Sequence, residues 1–286
     1  MRRGVSPEVR PGGAVTLAAR PDLRNRTGLS KSALTEFDLC PTSAWFSLHD
    51  RRPLIPSERI TFGSALDAAI EQVVSSLRAG TPVIETVALA AAAEVMERDE
   101  VEISLDEIER AVGRFMVEVA PKEDWSFCRL QPAIHEEVEG LGEVDGHPDI
   151  VLASGDVIDV KSAKKAKPEV PTVENGIYAL LVEAETGKAV ARTGYAVWVR
   201  IARPYWQRLM FPMTRELVRW TRERAAGYLR AKKADEVLNR KTPNPRNFTM
   251  ASGPKFPSLC TDCQYNPANG GPCQVAYRGE PDASEA

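Results

Sequence analysis

The order of elements readable from this chain is that of an α/β protein. A β-hairpin is written over residues 149–161, a helical pattern over 172–186 and a further strand over 193–201. A hairpin, a crossover helix and a returning strand build a sheet with helices packed on it. Composition agrees but constrains less. With 286 residues, 43% hydrophobic and 27% charged, the chain is of ordinary globular type, long enough for one large core or one core with an appended lobe. The 37 basic and 40 acidic residues leave a net charge of −3, which carries no nucleic-acid signature by itself, so the distribution of charge matters more. No internal repeat is visible.

Residues 1–28, rich in Arg, Pro and Gly, read as a flexible arm. Helical patterns follow at 31–40, 62–79, 84–99 and 104–119. The second carries Phe62, Leu66, Ile70, Val73, Val74 and Leu77 as a buried stripe. The third is alanine-rich, and the fourth opens at Ser104 with Glu107 three residues on, a capping pair. This block, 62–120, is expected to form a helical lobe over a cleft. Strand-like runs at 133–139, 143–153 and 156–161 lead to the helix 172–186, the strand 193–201 and a long helix at 213–233, so that 133–233 forms the core with the site at the sheet edge. The acidic residues 279–286 read as a disordered tail.

The hairpin carries the chemistry. Ile150 to Ala153 is apolar, Ser154-Gly155-Asp156 is turn chemistry, and Val157 to Val160 resumes strand character. Side chains alternate along a strand, so Asp159 and Lys161 share one face while Ile158 and Val160 take the other. A three-residue loop at 154–156 would pair Asp149 with Lys161 and keep Asp149 on the face of Asp159; a two-residue loop would flip it away. Hard divalent cations take oxygen ligands, and Asp149, Asp159 and the carbonyl of Val160 would supply such a shell. Lys161 would then orient a nucleophile or stabilise charge on a phosphoryl group. The plainer alternative is a surface hairpin with Lys161 salt-bridged to an aspartate.

With these residues in hand, the chain resembles the PD-(D/E)XK nuclease superfamily, in its RecB-like branch, which includes the CRISPR-associated RecB-like exonucleases. Gly146-His147-Pro148-Asp149 is similar to the G-x-x-D element of that family, and Ile158-Asp159-Val160-Lys161 to its D-x-K strand. The segment from Leu29 to Cys40-Pro41 resembles the opening helix. Phe62-Gly63-Ser64-Ala65-Leu66-Asp67 resembles the helix on which the family places a metal-binding histidine, replaced here by Asp67. Glu174 and Tyr178 stand where a glutamine and a tyrosine lie one helical turn apart, here with glutamate for glutamine. The resemblance spans residues 29–276. It implies a restriction-endonuclease-like core with a helical N-terminal lobe, Mg²⁺ or Mn²⁺ at Asp67, Asp149, Asp159 and Val160, and catalysis by Asp149, Asp159 and Lys161 with Glu174 and Tyr178.

Five cysteines give a second line of argument. No secretory signal or long apolar span is apparent, which predicts a cytoplasmic chain where disulfides are disfavoured and no membrane is involved. Cys260-Thr-Asp-Cys263 followed by Cys273 then reads as metal ligation. Cys40 resembles the distant fourth ligand of the iron–sulfur members of the branch. That implies a [4Fe–4S] cluster clasping 256–276 to the first helix. Zinc at the same four cysteines is the alternative. Cys128 reads as a buried apolar residue.

Residues 198–246 hold a basic run: Arg200, Arg203, Arg208, Arg215, Arg219, Arg222, Arg224, Arg230, Lys232, Lys233, Arg240, Lys241 and Arg246. Interleaved are Trp198, Tyr205, Trp206, Phe211, Trp220 and Tyr228, so phosphate contacts and base-stacking surfaces are both on offer, with helical burial as the competing reading. The sequence therefore predicts a metal-dependent DNA exonuclease acting on single strands or ends, in recombination, repair or phage DNA metabolism, with homo-oligomers or recombination and repair proteins as possible partners. The competing predictions are a DNA-binding or assembly protein that keeps the fold without efficient chemistry, and a zinc-clasped structural protein.

Overall fold

The computed structural model describes residues 28–49 and 56–238, with Cys263, Tyr265 and Cys273. Strand β1 (Leu29–Ser30) runs into α1 (Lys31–Leu39), where the Ser30 hydroxyl accepts from the Ala33 N–H at 3.1 Å. Cys40 closes that helix by donating its N–H to the Glu36 carbonyl. Pro41 then opens α2 (Pro41–His49), a helix that the sequence pattern does not predict, because proline at the first helical position sacrifices no hydrogen bond. Helix α3 (Glu58–Ala79) starts four residues before the predicted boundary: Ser57 caps it and Glu58 suits the first turn. Helices α4 (Glu85–Asp99) and α5 (Leu105–Glu118) follow, the latter capped by Ser104 as its sequence requires.

The predicted strand 143–153 is in fact two. Strands β2 (Arg129–Leu130), β3 (Ile134–Val138) and β4 (Gly142–Gly146) precede a break at His147-Pro148-Asp149, and β5 (Ile150–Val151) begins in a different sheet. Proline donates no hydrogen bond and the chain turns there. Strand β6 (Val157–Ala163), helix α6 (Val173–Thr186), strand β7 (Arg192–Val199), strand β8 (Tyr205–Pro212) and helix α7 (Arg215–Leu238) complete the described chain. The small sheet has the order β1-β4-β3; the large one runs β2-β5-β6-β7-β8, with β6 and β7 parallel across the α6 crossover and its other neighbours antiparallel.

The large sheet has two unlike faces. Ile150, Ile158, Val160, Ala196, Trp198 and Trp206 form one core with α3, α4 and α5, through Phe62, Leu66, Val73 and Phe115 among others. Val151 and Val157 point the opposite way, into a core shared by α6, the small sheet, α1, α2 and α7. Every residue of α6 from Val173 to Val182 is buried, so this helix is the hub of the second core. At Gly176 a Cβ would lie 1.8 Å from Thr221 Oγ1, so only glycine lets α7 pack this closely on α6. No helix among the described residues is long and apolar enough to cross a membrane.

Candidate active site

The hairpin closes one residue earlier than its sequence implies. Leu152 N–H donates to the Asp156 carbonyl and Gly155 N–H to the Leu152 carbonyl, both at 2.9 Å, leaving a three-residue loop 153–155 with Gly155 at φ +87°. That is a three-residue turn ending in a left-handed glycine. Ile150 stands opposite Ile158, so Asp149 faces Asp159 and not Lys161. The register differs by two residues, an even number, so Asp149 still shares the face of Asp159. Asp156 leaves the turn because its side chain is engaged elsewhere. The buried carboxylate accepts from the backbone and guanidinium of Arg192, tying the hairpin to β7.

Asp149 Oδ2 accepts the Val160 N–H at 2.7 Å. A strand residue's N–H and C=O leave the same edge, so the Val160 carbonyl is directed to the side of Asp149 while its side chain packs in the apolar core. Asp159 is 1% exposed and ion-paired through Oδ2 with Lys161. Asp67 reaches the same place from α3, lining a narrow cleft with Ile70, Glu71, Leu130, Gln131, Asp149, Ile150 and Val160. Asp67 Oδ1 and Asp159 Oδ1 are buried and accept no hydrogen bond among the described residues.

Glu174 sits in the first turn of α6, where the helix dipole favours a carboxylate. Its Oε1 lies 2.7 Å from Lys31 Nζ and 3.5 Å from Lys161 Nζ, and its Oε2 accepts from the Tyr195 hydroxyl at 3.3 Å. Tyr178, one turn on, does not offer its hydroxyl to the acids: it donates to the His147 carbonyl at 2.7 Å, and Lys31 lies over its ring at 4.8 Å. Gly146 admits this packing, since a Cβ there would stand 3.2 Å from Tyr178 Cε1.

Electrostatics separates the acids. Burial, aided by Asp159, pushes Asp67 up to about 7 against the pull of Lys161. Burial raises Asp149 too, with Asp67 adding to it, and raises Asp159 well above the carboxylate range, with Asp149 and Glu174 adding. Glu174 goes the other way: burial opposes its charge, but Lys161 and Lys31 win and hold it at about 2. Lys161 stays firmly charged, because Asp159, Glu174 and Asp149 outweigh its desolvation. Three acids crowded without enough counter-charge, their oxygens short of donors, suit a hard cation. The side chains do not stand in ready-made ligand geometry: among the described residues no group of three His, Cys, Asp or Glu is so arranged.

Of four further neighbours of the site, Lys31, Tyr195 and Gln131 carry no signal in the sequence, whereas Lys167 lies in the run of basic residues that follows the D-x-K strand. Lys31 and Tyr195 meet Glu174, Lys167 lies over the Tyr195 ring at 4.2 Å, and Gln131, held at φ +41°, donates its N–H to the Asp149 carbonyl. Tyr195 is the register partner of Asp159 in the β6–β7 ladder, which fixes it on the same face.

Of the four cysteines expected to ligate, Cys260 lies outside the described residues. Cys273 is buried, Cys263 and Cys40 are half-buried, and Cys128 is buried as expected. Tyr265 meets α2: its ring stacks on Phe46 at 5.1 Å, its hydroxyl is 3.2 Å from Ser47 Oγ, and Cys273 N–H donates to its carbonyl.

The basic run is divided by the fold. Arg200 pairs with Glu107 over the Phe62 ring, and Arg208 with Glu123. Arg240, Lys241 and Arg246 lie outside the described residues. Trp198, Trp206, Phe211 and Tyr228 are buried, which removes them as base-stacking surfaces: the first three sit in the β7–β8 ladder whose side chains enter the cores, and Tyr228 packs from α7 against Phe37. Along α7 a groove is lined by Arg215, Arg219, Arg222 and Arg230 over Leu141, Met213 and Val218, with Arg219 against Glu223 and Arg222 against Glu139.

No family model matches the chain, and no curated protein matches it. Among solved structures, a "Putative exonuclease" from Eubacterium rectale superposes with a TM-score of 0.52 across 90% of this chain and 91% of that chain, at 11% identity, which shows a shared fold. A second solved structure, designated by a locus name, covers 84% of this chain and 96% of its own at 13% identity, with a TM-score of 0.31.

Proposed function

We propose that the chain is a divalent-metal-dependent nuclease that hydrolyses DNA phosphodiesters, with exonuclease action on single strands or ends. The observation that supports it is the meeting of Asp67, Asp149, Asp159 and Lys161, from α3 and both arms of the hairpin, with buried carboxylate oxygens that accept no hydrogen bond among the described residues. Mg²⁺ or Mn²⁺ would be held by Asp149, Asp159, Asp67 and the Val160 carbonyl, where it would neutralise charge at the phosphate and polarise the P–O bond. Lys161, kept cationic by its neighbours, places positive charge where the transition state gains negative charge. It acts as an electrostatic partner and not as a proton acceptor. The Tyr178 ring walls the site. The arginine groove of α7 binds the nucleic-acid backbone away from the chemistry, as clustered guanidinium groups over an apolar floor allow. The cysteine set, as a [4Fe–4S] or zinc clasp, serves assembly. Recombination, repair and phage DNA metabolism are the processes such an activity fits.

The test is digestion of end-labelled single-stranded DNA by anaerobically purified protein with Mn²⁺, Mg²⁺ or chelator, beside Lys161→Ala. Metal-dependent digestion by wild type and at least ~10²-fold less by the variant is the expected result. The second reading, a DNA-binding protein without turnover, has the Lys161–Asp159 ion pair in its favour, because that contact occupies an oxygen a metal needs. DNA retention without digestion under any metal would select it.

A further inference from the structure

Helix α1 delivers a cation that no motif accounts for. Lys31 is the first residue of that helix, fixed by the Ser30 cap and by the pairing of Ser30 with Asp145 in the small sheet. Its side chain is only 18% exposed, its ammonium lying over the Tyr178 ring and hydrogen-bonded to Glu174 Oε1. Lys161 Nζ approaches that same oxygen, so the two ammonium nitrogens are no farther apart than the sum of the 2.7 Å and 3.5 Å contacts. Lys161 also pairs with Asp159, so Glu174 is the carboxylate the two ammonium groups share, and like charges so placed repel. Lys167, over the Tyr195 ring, adds a third cation to the same surroundings.

The charges of the centre become intelligible when a substrate is added. Asp67, Asp149, Asp159 and Glu174 carry four negative charges when ionised; Lys31, Lys161 and Lys167 carry three positive ones. Glu71, at the cleft wall, is raised by burial with Arg78 pulling against the rise, and stands apart from these seven groups. A divalent cation would turn the formal balance from −1 to +1, which a single phosphodiester charge cancels. Without Lys31 the loaded centre would have no net formal charge, and the phosphate would bring it to −1. Two ammonium groups at this spacing can each donate a charge-assisted hydrogen bond, at about 2.7–2.9 Å, to oxygens of one phosphate between them.

We infer that Lys31 is a second substrate-facing cation of this centre, gripping a non-bridging oxygen of the phosphodiester beside Lys161, and that Glu174 is the positioning residue that holds the two ammonium groups together. The inference rests on the nuclease reading. It gives the carboxylate at position 174 a use a neutral amide would serve less well: an amide cannot hold two cations side by side by charge.

The experiment uses the full chain, a fluorescein-labelled single-stranded oligonucleotide and the variants Lys31→Ala, Lys31→Arg and Glu174→Gln, each checked for folding by circular dichroism and thermal melting. Binding is followed by anisotropy against salt concentration with Ca²⁺ present, and turnover with Mn²⁺. Lys31→Ala should reduce the slope of log K against log salt by about 0.7, the loss of one phosphate contact on a single strand. It should also lower kcat at least ~10-fold, and Lys31→Arg should restore the slope. Glu174→Gln should lower kcat while binding is retained. A folded Lys31→Ala protein with wild-type slope and wild-type kcat overturns the substrate contact, and an unchanged kcat in Glu174→Gln overturns the positioning role. Wild-type protein that neither binds nor cleaves would instead sink the nuclease reading on which both stand.

Discussion

Strand β6 presents two faces of opposite character. Ile158 and Val160 enter an apolar core with Trp198, Trp206, Trp125 and Phe62, whose three indole N–H groups each find an acceptor. One residue away along the same backbone, Asp159 and Lys161 enter a space shared with Glu174, Lys31, Asp67 and Asp149. The first face gains from burial; the second is desolvated at a cost that mutual pairing only partly offsets. A strand's two-residue period lets one segment do both, and the stable face holds the costly one in position. Substitutions on the two faces should therefore act in opposite senses on stability and activity.

The largest effect belongs to the apolar face. Trp198 is fully buried against Trp206, with ring centroids 5.6 Å apart. Trp198→Ala should destabilise the protein by about 3–5 kcal/mol. Activity per folded molecule should survive. Urea denaturation together with initial rates below the transition separates the two; an equal fall in specific activity of the folded fraction would mean that the faces are coupled.

On the charged face the sign of a pH effect can be worked out for Asp67. Its ordinary value of 3.8 is pushed up to about 7 by burial, so between those values the folded state binds the proton more tightly than the unfolded chain does. Metal-free protein is then free of this penalty below about pH 4, loses stability as pH rises to about 7, and stays at the lower level above it. The effect is capped near ~4 kcal/mol and falls short of that because the side chain keeps some solvent contact. Asp67→Asn should flatten the pH 4–7 segment of the stability curve in chelator, and Mn²⁺ should flatten it in wild type. A curve with the same slope in Asp67→Asn would remove Asp67 as its source.

Asp159→Asn is a smaller and sharper case. Removing the most deeply buried acid leaves Lys161 with Glu174 3.5 Å away and 30% of its side chain exposed, so no uncompensated charge is stranded. Stability without metal should hold or rise by about 1–2 kcal/mol, while digestion of DNA is lost. A fall beyond about 1 kcal/mol would show the Asp159–Lys161 pair to be net stabilising.

The sequence made the parity of the hairpin legible, because alternation of polar and apolar residues in 157–161 and an odd loop are both local facts. The loop's position was not, since it depends on Asp156 leaving the turn for Arg192. Asp67 could be found through a resemblance, yet its approach to Asp149 rests on packing of α3 against the large sheet. Lys31 and Tyr195 carried no local signal: one reaches Glu174 across 143 residues of sequence, the other through the parallel register of β6 and β7. The interleaved arginines and aromatics misled for a related reason. Strand β8 buries Trp206 in one core and Phe211 in another, and sets Arg208 on the face of Trp206 against Glu123, a division that composition alone does not reveal.

Tyr178 supplies the smallest effect and the finest division between the faces. Its ring is buried between Lys31 and Gly146, whereas its hydroxyl donates to the His147 carbonyl, at the break where the chain leaves β4 for the hairpin. The hydroxyl is held protonated, its pKa raised by burial and by Asp159, Asp149 and Glu174, so it is a fixed donor across the physiological range. Tyr178→Phe keeps the ring under Lys31 and removes that one bond, costing about 1 kcal/mol. Because the lost bond anchors the residues that lead into Asp149 and does not touch Lys31 or Glu174, kcat should fall by less than in Lys31→Ala, with the salt slope of DNA binding unchanged. Comparing the variants' melting temperatures and binding slopes checks this. A Tyr178→Phe protein of wild-type stability and sharply reduced kcat would instead make the hydroxyl a participant in the chemistry.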